Sequence, residues 1–362
     1  MRTLEASVVI PTYNEKENVT EIVPQITESL DGVEHEIVIV DGNSEDGTAE
    51  AVEELMGEYE DLRLIEREER EGLGAAYRHA FGEVEGEVVV QMDADLSHPP
   101  EKVPELVEAV KDGADVAVGS RYVDSGERKD PFHRRVFPLI GSYLYRFLLN
   151  SPVRDVTSGF KAYRKERAEQ ISEADLPAGF HFQAASLFHL LGNGATVEEV
   201  PITFRERNAG EPKYDYPGDL IDNTLLLLKL AVKRHQRMLK FGVVGAIGTV
   251  VNMGLLYLFT EYVGLHYMIS AGIAVESAIV SNFVLNDIWT FIDRKKEGMK
   301  NLMERFTKFQ AVSLTGLGLN LGLLWTFTKI AGIYYLLSNL IAILIVFFWN
   351  YFINLFWTWT ET

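Results

Sequence analysis

Four apolar stretches crowd into the last third of the chain, at roughly 239–262, 267–292, 306–331 and 334–359. A hydrocarbon core about 30 Å thick is crossed by about 20 helical residues, so each stretch is long enough to span it. Backbone amides in lipid must be satisfied within the segment itself, which leaves helices as the solution for runs of this kind. Short links at Gly264 and Gly332 make the helices of each pair antiparallel neighbours. The longer link, DRKKEGMKNLMER, is basic, as is KRHQRMLK before the first stretch. The positive-inside rule places both in the cytosol, together with the carboxyl terminus. Trp289, Trp357 and Trp359 are then expected at the cytosolic interface, and Tyr267, Tyr334 and Tyr335 at the opposite one.

The two helical pairs are copies. A constant offset of 68 relates Lys240-Phe241 to Lys308-Phe309, Asn252 to Asn320, Asn282 to Asn350, Asn286 to Asn354 and Trp289-Thr290 to Trp357-Thr358. With two spans per copy, both copies keep one orientation and the repeat is parallel. The matched asparagines have two readings. Amides glue helices together in lipid, or Asn282, Asn286 and the mid-span Glu276 line a polar path. Glu276 has Leu344 as its repeat mate, so it is not part of the repeated pattern.

Charge separates this region from the rest. Residues 1–235 hold 46 acidic and 25 basic side chains, whereas residues 236–362 hold 7 and 9, along with all five tryptophans. An acidic front half lacks the clustered Lys and Arg that nucleic-acid binding requires. Cysteine is absent, which excludes disulfides, iron–sulfur clusters and cysteine–zinc sites. The apolar run in MRTLEASVVIPTYNE is too short for a signal peptide, so the front half is expected to stay cytosolic.

That front half alternates short β-rich runs (ASVVI, EIVIV, LRLI, EVVVQM, DVAVGS) with amphipathic stretches such as NVTEIVPQITESL and PEKVPELVEAVKDG. Continuous apolar strands separated by helices predict an α/β, Rossmann-like domain with a mainly parallel sheet covered on both faces. Ligands of such sheets bind at the carboxyl ends of the strands. There the chain places Pro11-Thr12-Tyr13-Asn14-Glu15, Asp41, the pair Asp93 and Asp95, and Ser120-Arg121. EGLGAA offers only two glycines and does not follow the first strand, so it is not a dinucleotide fingerprint. Gly72 and Gly74 read instead as helix-start glycines near a ligand.

In QMDADLSHPP, an extended strand would direct Asp93 and Asp95 to one side. Adjacent carboxylates repel unless a cation lies near them. Oxygen donors favour Mg²⁺ or Mn²⁺, with the rest of the shell taken from phosphates and water. The bland reading is a pair of helix-capping acids ahead of PEKVPEL.

Taken in order, SVVIPTYNE, VDGNSEDGT, EGLGAA, VVQMDADLSHPP, GSRY and DVTSGFKAYRK resemble the family 2 glycosyltransferases of GT-A fold, and within them the polyprenyl-phosphate sugar synthases of the dolichol-phosphate mannose synthase group. Archaeal and bacterial forms join this domain to a GtrA-like membrane domain of four helices, and the resemblance covers essentially the whole chain. It implies that Pro11, Tyr13 and Glu15 hold base and ribose, with Val40 and Asp41 nearby. It implies further that Asp93, Ala94 and Asp95 flank ribose, metal and diphosphate, with Asp95 the principal metal ligand and Ser97 a further polar contact. Arg121, Arg207 and Lys213 match basic residues of the family's donor site, and Arg121 and Arg134 would meet the acceptor phosphate. The family usually reads VDDGS-x-DGT, so Gly42 removes one acid expected at the nucleotide.

The reaction this resemblance implies is inverting transfer of a hexose, mannose from GDP-mannose foremost, to dolichyl or another polyprenyl phosphate. A phosphate monoester is about dianionic at pH 7 and needs no general base. Glucose transfer and translocation of a lipid-linked sugar are the other readings. The expected organisation is a cytosolic catalytic domain at 1–217, an amphipathic interfacial helix at 218–236 and a four-helix domain at 237–362 of a cell-membrane protein. The oligomeric state is left open.

Overall fold

A computed structural model describes residues 4–128, 132–205 and 216–360, which divide into two compact units, Met1–Ala231 and Val232–Thr362. In the first unit all five expected runs are strands: β1 (Ala6–Thr12), β2 (His35–Asp41), β3 (Leu62–Glu66), β4 (Val88–Gln91) and β5 (Val116–Ser120). Four further strands follow: β6 (Glu127–Arg128), β7 (Lys161–Arg164), β8 (Val197–Pro201) and β9 (Thr203–Phe204). Seven of them form one sheet in the order β3-β2-β1-β4-β7-β5-β8, while β6 and β9 pair separately.

The sheet is parallel except at β7, which runs antiparallel to both neighbours and sets Ala162 opposite Val90 and Ala117. Strand order reverses about β1, whose partners are β2 on one side and β4 on the other. Such a switch point opens a crevice beyond the carboxyl ends of those strands.

Helices cover both faces, as the uniformly apolar strands require. One core joins Val8, Ile10, Ile37, Ile39 and Val90 to α1 (Lys16–Ser29), α2 (Thr48–Met56) and α4 (Val103–Lys111). The other joins Val9, Val38, Val40 and Val89 to α3 (Leu73–Phe81), α5 (Phe132–Leu149), α6 (Lys165–Glu173) and α7 (Phe182–Gly192). Strand residues thus alternate between the two cores, as a pleat demands.

The interfacial helix expected at 218–236 is not a separate element. Residues Tyr216–Tyr257 form one helix, α8, because Pro217 sits where a helix can begin and no later proline interrupts the run. Within the first unit, Leu227 of this helix is buried in the second core rather than presented to lipid.

The second unit carries the end of α8, then α9 (Tyr267–Leu285), α10 (Met299–Trp325) and α11 (Tyr335–Ile353), each running on into a five-residue π turn. Among the described residues, four helices are long and apolar enough to cross a membrane, at Thr224–Tyr262, Tyr267–Thr290, Met299–Ile330 and Tyr335–Thr358. The repeat is visible in packing. Gly248 lies against the Asn282 amide and Gly316 against that of Asn350, leaving no room for a Cβ at either glycine.

Trp289 and Trp357 are exposed, with the ammonium groups of Lys240 and Lys308 over their rings at 5.6 and 5.9 Å. Trp359 departs from the interfacial expectation. It is buried, stacked 4.4 Å from Phe291, and its Nε1–H donates to Asp287, which also pairs with Arg305 at 2.8 Å. Burying an indole is favourable once its N–H has an acceptor. Glu276 also departs from the polar path: it accepts two hydrogen bonds from Gln310 on the exposed side of the unit, at 2.7 and 2.8 Å.

Candidate active site

Asp41 ends β2 and is almost wholly buried. Its carboxylate accepts from the Thr12 hydroxyl at 2.9 Å and from the Ser44 amide and hydroxyl at 2.8 and 2.6 Å. It therefore ties the ends of β1 and β2 together. Val40, one residue back, turns its side chain into the core. Pro11 and Tyr13 are half-buried, and Glu15 is buried at the start of α1, where it accepts from the Asn18 amide at 2.5 Å. Arg70 lies 4.2 Å above the Tyr13 ring, and Gly42 is packed beneath both side chains. A Cβ at position 42 would lie 3.3 Å from Thr12 O and about 4 Å from Arg70 and Tyr13, so the glycine suits a close approach of the β1 end.

The two aspartates are not on an extended strand. β4 ends at Gln91, and Ala94-Asp95 form a turn that passes through a left-handed Leu96 at φ 60°. Asp95 shapes this turn by accepting the Ser97 amide at 3.1 Å, and Asp95, Ala94 and Ser97 are all buried. Asp93 remains about one-third exposed. Its amide donates to His98 Nδ1 at 3.1 Å, which leaves the proton of that ring on Nε2. Burial pushes the His98 imidazole below its ordinary range, so it is neutral at pH 7. Burial, seconded by the Asp93 charge, pushes the Tyr77 phenol well up, and its hydroxyl caps Met92 O at 3.0 Å. Both aspartates lie close enough to Tyr77 and His98 to act on their ionisation.

The antiparallel β7 brings the segment 155–160 to the same edge of the sheet. There Asp155 and Arg121 form a forked pair, Nε and Nη2 of the guanidinium donating to the two carboxylate oxygens at 2.6 Å each. The Arg121 amide also donates to Asp155 at 2.9 Å, and Nη2 reaches the Thr157 hydroxyl at 3.1 Å. Asp155 is fully buried and the Arg121 side chain is 8% exposed. Asp155 was missed in the sequence because it lies 34 residues from its partner. Phe204 covers the guanidinium at 5.3 Å and touches His98 edge-on.

Lys161 was also missed. It is fully buried on β7, and its ammonium donates to the backbone oxygen of Gln183 at 2.7 Å and to the Gln183 amide at 3.3 Å. Burial pulls it down to about 7, against the attraction of Asp155 and Asp93. A lysine whose folded pKa lies below its unfolded value penalises the fold while protonated. That penalty is full below pH 7 and fades as pH rises toward 10. The stability of the wild type relative to Lys161→Met is therefore expected to rise between pH 7 and 10, by at most about 4 kcal/mol across the interval, and its thermal midpoint with it. Near-ultraviolet circular dichroism melts would show it, and parallel pH profiles for the two proteins would refute it.

Gly72 and Gly74 do start a helix, but their neighbour is protein. Gly72 has φ 108°, and a Cβ there would lie 2.6 Å from Ala178 O. A Cβ on Gly74 would overlap Pro177 O and sit 2.7 Å from Phe182 Cβ, and its amide donates to Ala178 O at 2.6 Å. Close backbone approach explains both glycines. Arg207 and Lys213 lie outside the described residues. Arg134 falls within α5, with its side chain likewise outside the described set.

Two family models match the chain: glycosyl transferase family 2 over residues 7–172, and the GtrA/DPMS transmembrane domain over residues 240–359. The chain is 38% identical over 362 residues to a dolichol-phosphate mannosyltransferase of Pyrococcus furiosus, covering 98% of this chain and 99% of that one. It is 41% identical over 217 residues to a polyprenol monophosphomannose synthase of Mycolicibacterium smegmatis, covering 58% of this chain and 81% of the relative. Among solved structures, a mycobacterial protein superposes with a TM-score of 0.50 at 18% identity, over 64% of this chain and 74% of that one, a likeness of fold.

Proposed function

The chain belongs to glycosyltransferase family 2, as a multi-pass membrane protein whose GT-A domain is joined to a GtrA/DPMS transmembrane domain, and from that premise we propose that it transfers mannose from GDP-mannose to the phosphate of a dolichyl or other polyprenyl lipid. What carries this reading is the union, in one chain, of a carboxylate-bearing crevice at a parallel-sheet switch point with four membrane spans. The relatives named as mannosyltransferases of lipid phosphates point the same way.

The donor set suits a hard divalent ion, Mg²⁺ or Mn²⁺. Asp93 and Asp95 offer oxygens only, and among the described residues no group of three or more acidic or histidine side chains gathers to enclose a metal. Asp93 and Asp95, with Ser97 as a further oxygen, would hold the ion and leave room in its shell for oxygens of the substrate. Such an ion, when bound, would offset the charge developing on the departing diphosphate.

The protein's own part is to position charge. Asp95 is fixed by its turn, and Asp93 is braced between His98 and Tyr77. His98 is neutral with its Nδ1 already accepting, which fits an acceptor that requires no base. Arg121 is committed to Asp155, so its fork organises the acceptor side while Arg134, Arg207 and Lys213 would bring the net positive charge a lipid phosphate needs. Attack of the phosphate oxygen at the anomeric carbon inverts it, and the diphosphate leaves. The basic links favour the cytosolic side for this domain.

Purified protein incubated with Mg²⁺ or Mn²⁺, a polyprenyl phosphate and labelled GDP-mannose is expected to yield lipid-extractable label. UDP-glucose belongs in the same panel, because Gly42 and Arg70 alter the nucleotide end. Label from UDP-glucose alone would replace mannose by glucose, and no label from any donor would defeat the proposal.

A further inference from the structure

The membrane-spanning unit holds a cavity of about 140 Å³ that the transfer reaction does not use. Asn282, Asn286, Asn350 and Asn354 line it, with Ser313 and the rings of Phe241, Phe309 and Phe347. The four amides are two pairs related by the 68-residue repeat, so the cavity lies where the two copies meet. Asn286 and Asn354 are each 1% exposed, and each opens a π turn. Among the described residues, Oδ1 of Asn282, Asn286 and Asn350 and Nδ2 of Asn354 are buried with no hydrogen-bond partner.

This arrangement is built rather than incidental. Gly248 and Gly316 have no side chain because the Asn282 and Asn350 amides occupy that space; a Cβ on Gly316 would lie 2.6 Å from Asn350 Oδ1. Asn354 Oδ1 accepts from the Thr358 hydroxyl at 2.7 Å. Simple helix glue would pair the amides with one another, as lipid makes an unmatched polar atom expensive. Here they surround a space instead.

The ligand follows from the lining. The lining residues are all neutral, which disfavours a divalent ion that needs anionic oxygens or its own tightly held water. Three amide oxygens, a hydroxyl and aromatic faces all present negative potential, as carbonyl rings do in channels and broken helices do in transporters. At about 30 Å³ per water, the volume equals four or five waters, enough for one alkali cation retaining part of its shell. We propose that the two repeats of the membrane domain form a binding site for a monovalent alkali cation, held by the side-chain oxygens of Asn282, Asn286 and Asn350.

The test uses the full chain in detergent or nanodiscs, melted while tryptophan fluorescence is followed. Trp359 is a suitable reporter because it packs on Phe291, Phe283 and Phe309, the last of which lines the cavity. At constant ionic strength, replacing N-methyl-D-glucamine chloride by NaCl or KCl is expected to raise the midpoint saturably by about 3–5 °C. Asn354→Asp adds a charge without changing size, and is expected to lower the half-saturating concentration roughly tenfold. An Asn282→Ala/Asn350→Ala variant that melts cooperatively should lose the ion-specific rise. Equal midpoints in every wild-type salt series would mean that the cavity holds water alone and would overturn the proposal. So would an unchanged ion response in the double alanine variant.

Discussion

Replacing Asp95 by alanine or asparagine is expected to lower glycosyl transfer to lipid phosphate by about three orders of magnitude or more, while Asn at this position leaves the fold intact. The two substitutions separate structure from chemistry. Asp95 Oδ1 accepts the Ser97 amide in the turn after β4, and the asparagine amide oxygen can still accept it. Alanine cannot, and the left-handed Leu96 then loses part of what holds it. Yet neither supplies the negative charge that would draw a divalent ion to the diphosphate. Removing one preorganised electrostatic element costs a catalyst about a hundred- to a thousandfold, and losing the ion as well exceeds that.

Asp93→Asn is expected to be milder, since Asp93 is one-third exposed and its backbone amide still donates to His98 Nδ1 when the carboxylate, 3.8 Å from Nε2 of that ring, becomes an amide. Initial rates with labelled donor across a titration of Mn²⁺ are the measurement. A restored rate at high Mn²⁺ in Asp95→Asn would confirm an ion-binding role. Wild-type rates at ordinary metal concentration would remove Asp95 from the mechanism.

How far the sequence reveals this molecule depends on the range of the interactions concerned. The five parallel strands are legible because each is a short run dominated by aliphatic residues and bounded by polar turns. The repeat is legible because its copies are ungapped, and Gly248 and Gly316 meet their asparagines identically. β7 escapes the same reading: four residues, KAYR, include a lysine and an arginine and carry no apolar run. Nothing local says that Lys161 is buried, since only the chain reversal places it under Gln183. Gly72 and Gly74 looked ligand-facing because glycine signals close approach without naming the visitor, and the visitor is backbone about a hundred residues away. Arg121 shows the same limit. Read alone it is a cation available for phosphate, whereas its fork is filled by an aspartate that no local pattern links to it.

That pair yields the second large effect. Asp155→Ala is expected to destabilise the catalytic domain by about 3–5 kcal/mol, because it strands a guanidinium that is 8% exposed. Arg121→Lys should lose nearly as much, since a single ammonium cannot reproduce the two parallel bonds to Asp155 and the third to Thr157. A double Arg121→Leu/Asp155→Leu variant removes both charges and their desolvation together, so much of the stability should return. If the pair only props the fold, transfer activity should return with it. If the pair also presents Arg121 to the acceptor, the refolded double variant keeps only a small fraction of wild-type activity, and its KM for polyprenyl phosphate rises while that for the sugar nucleotide holds. Melting curves beside separate KM determinations for the two substrates distinguish these outcomes, and the second is the one expected. Arg121 lies beneath Phe204 and beside the Asp93–His98 turn, where a scaffold and an anion site can be the same group.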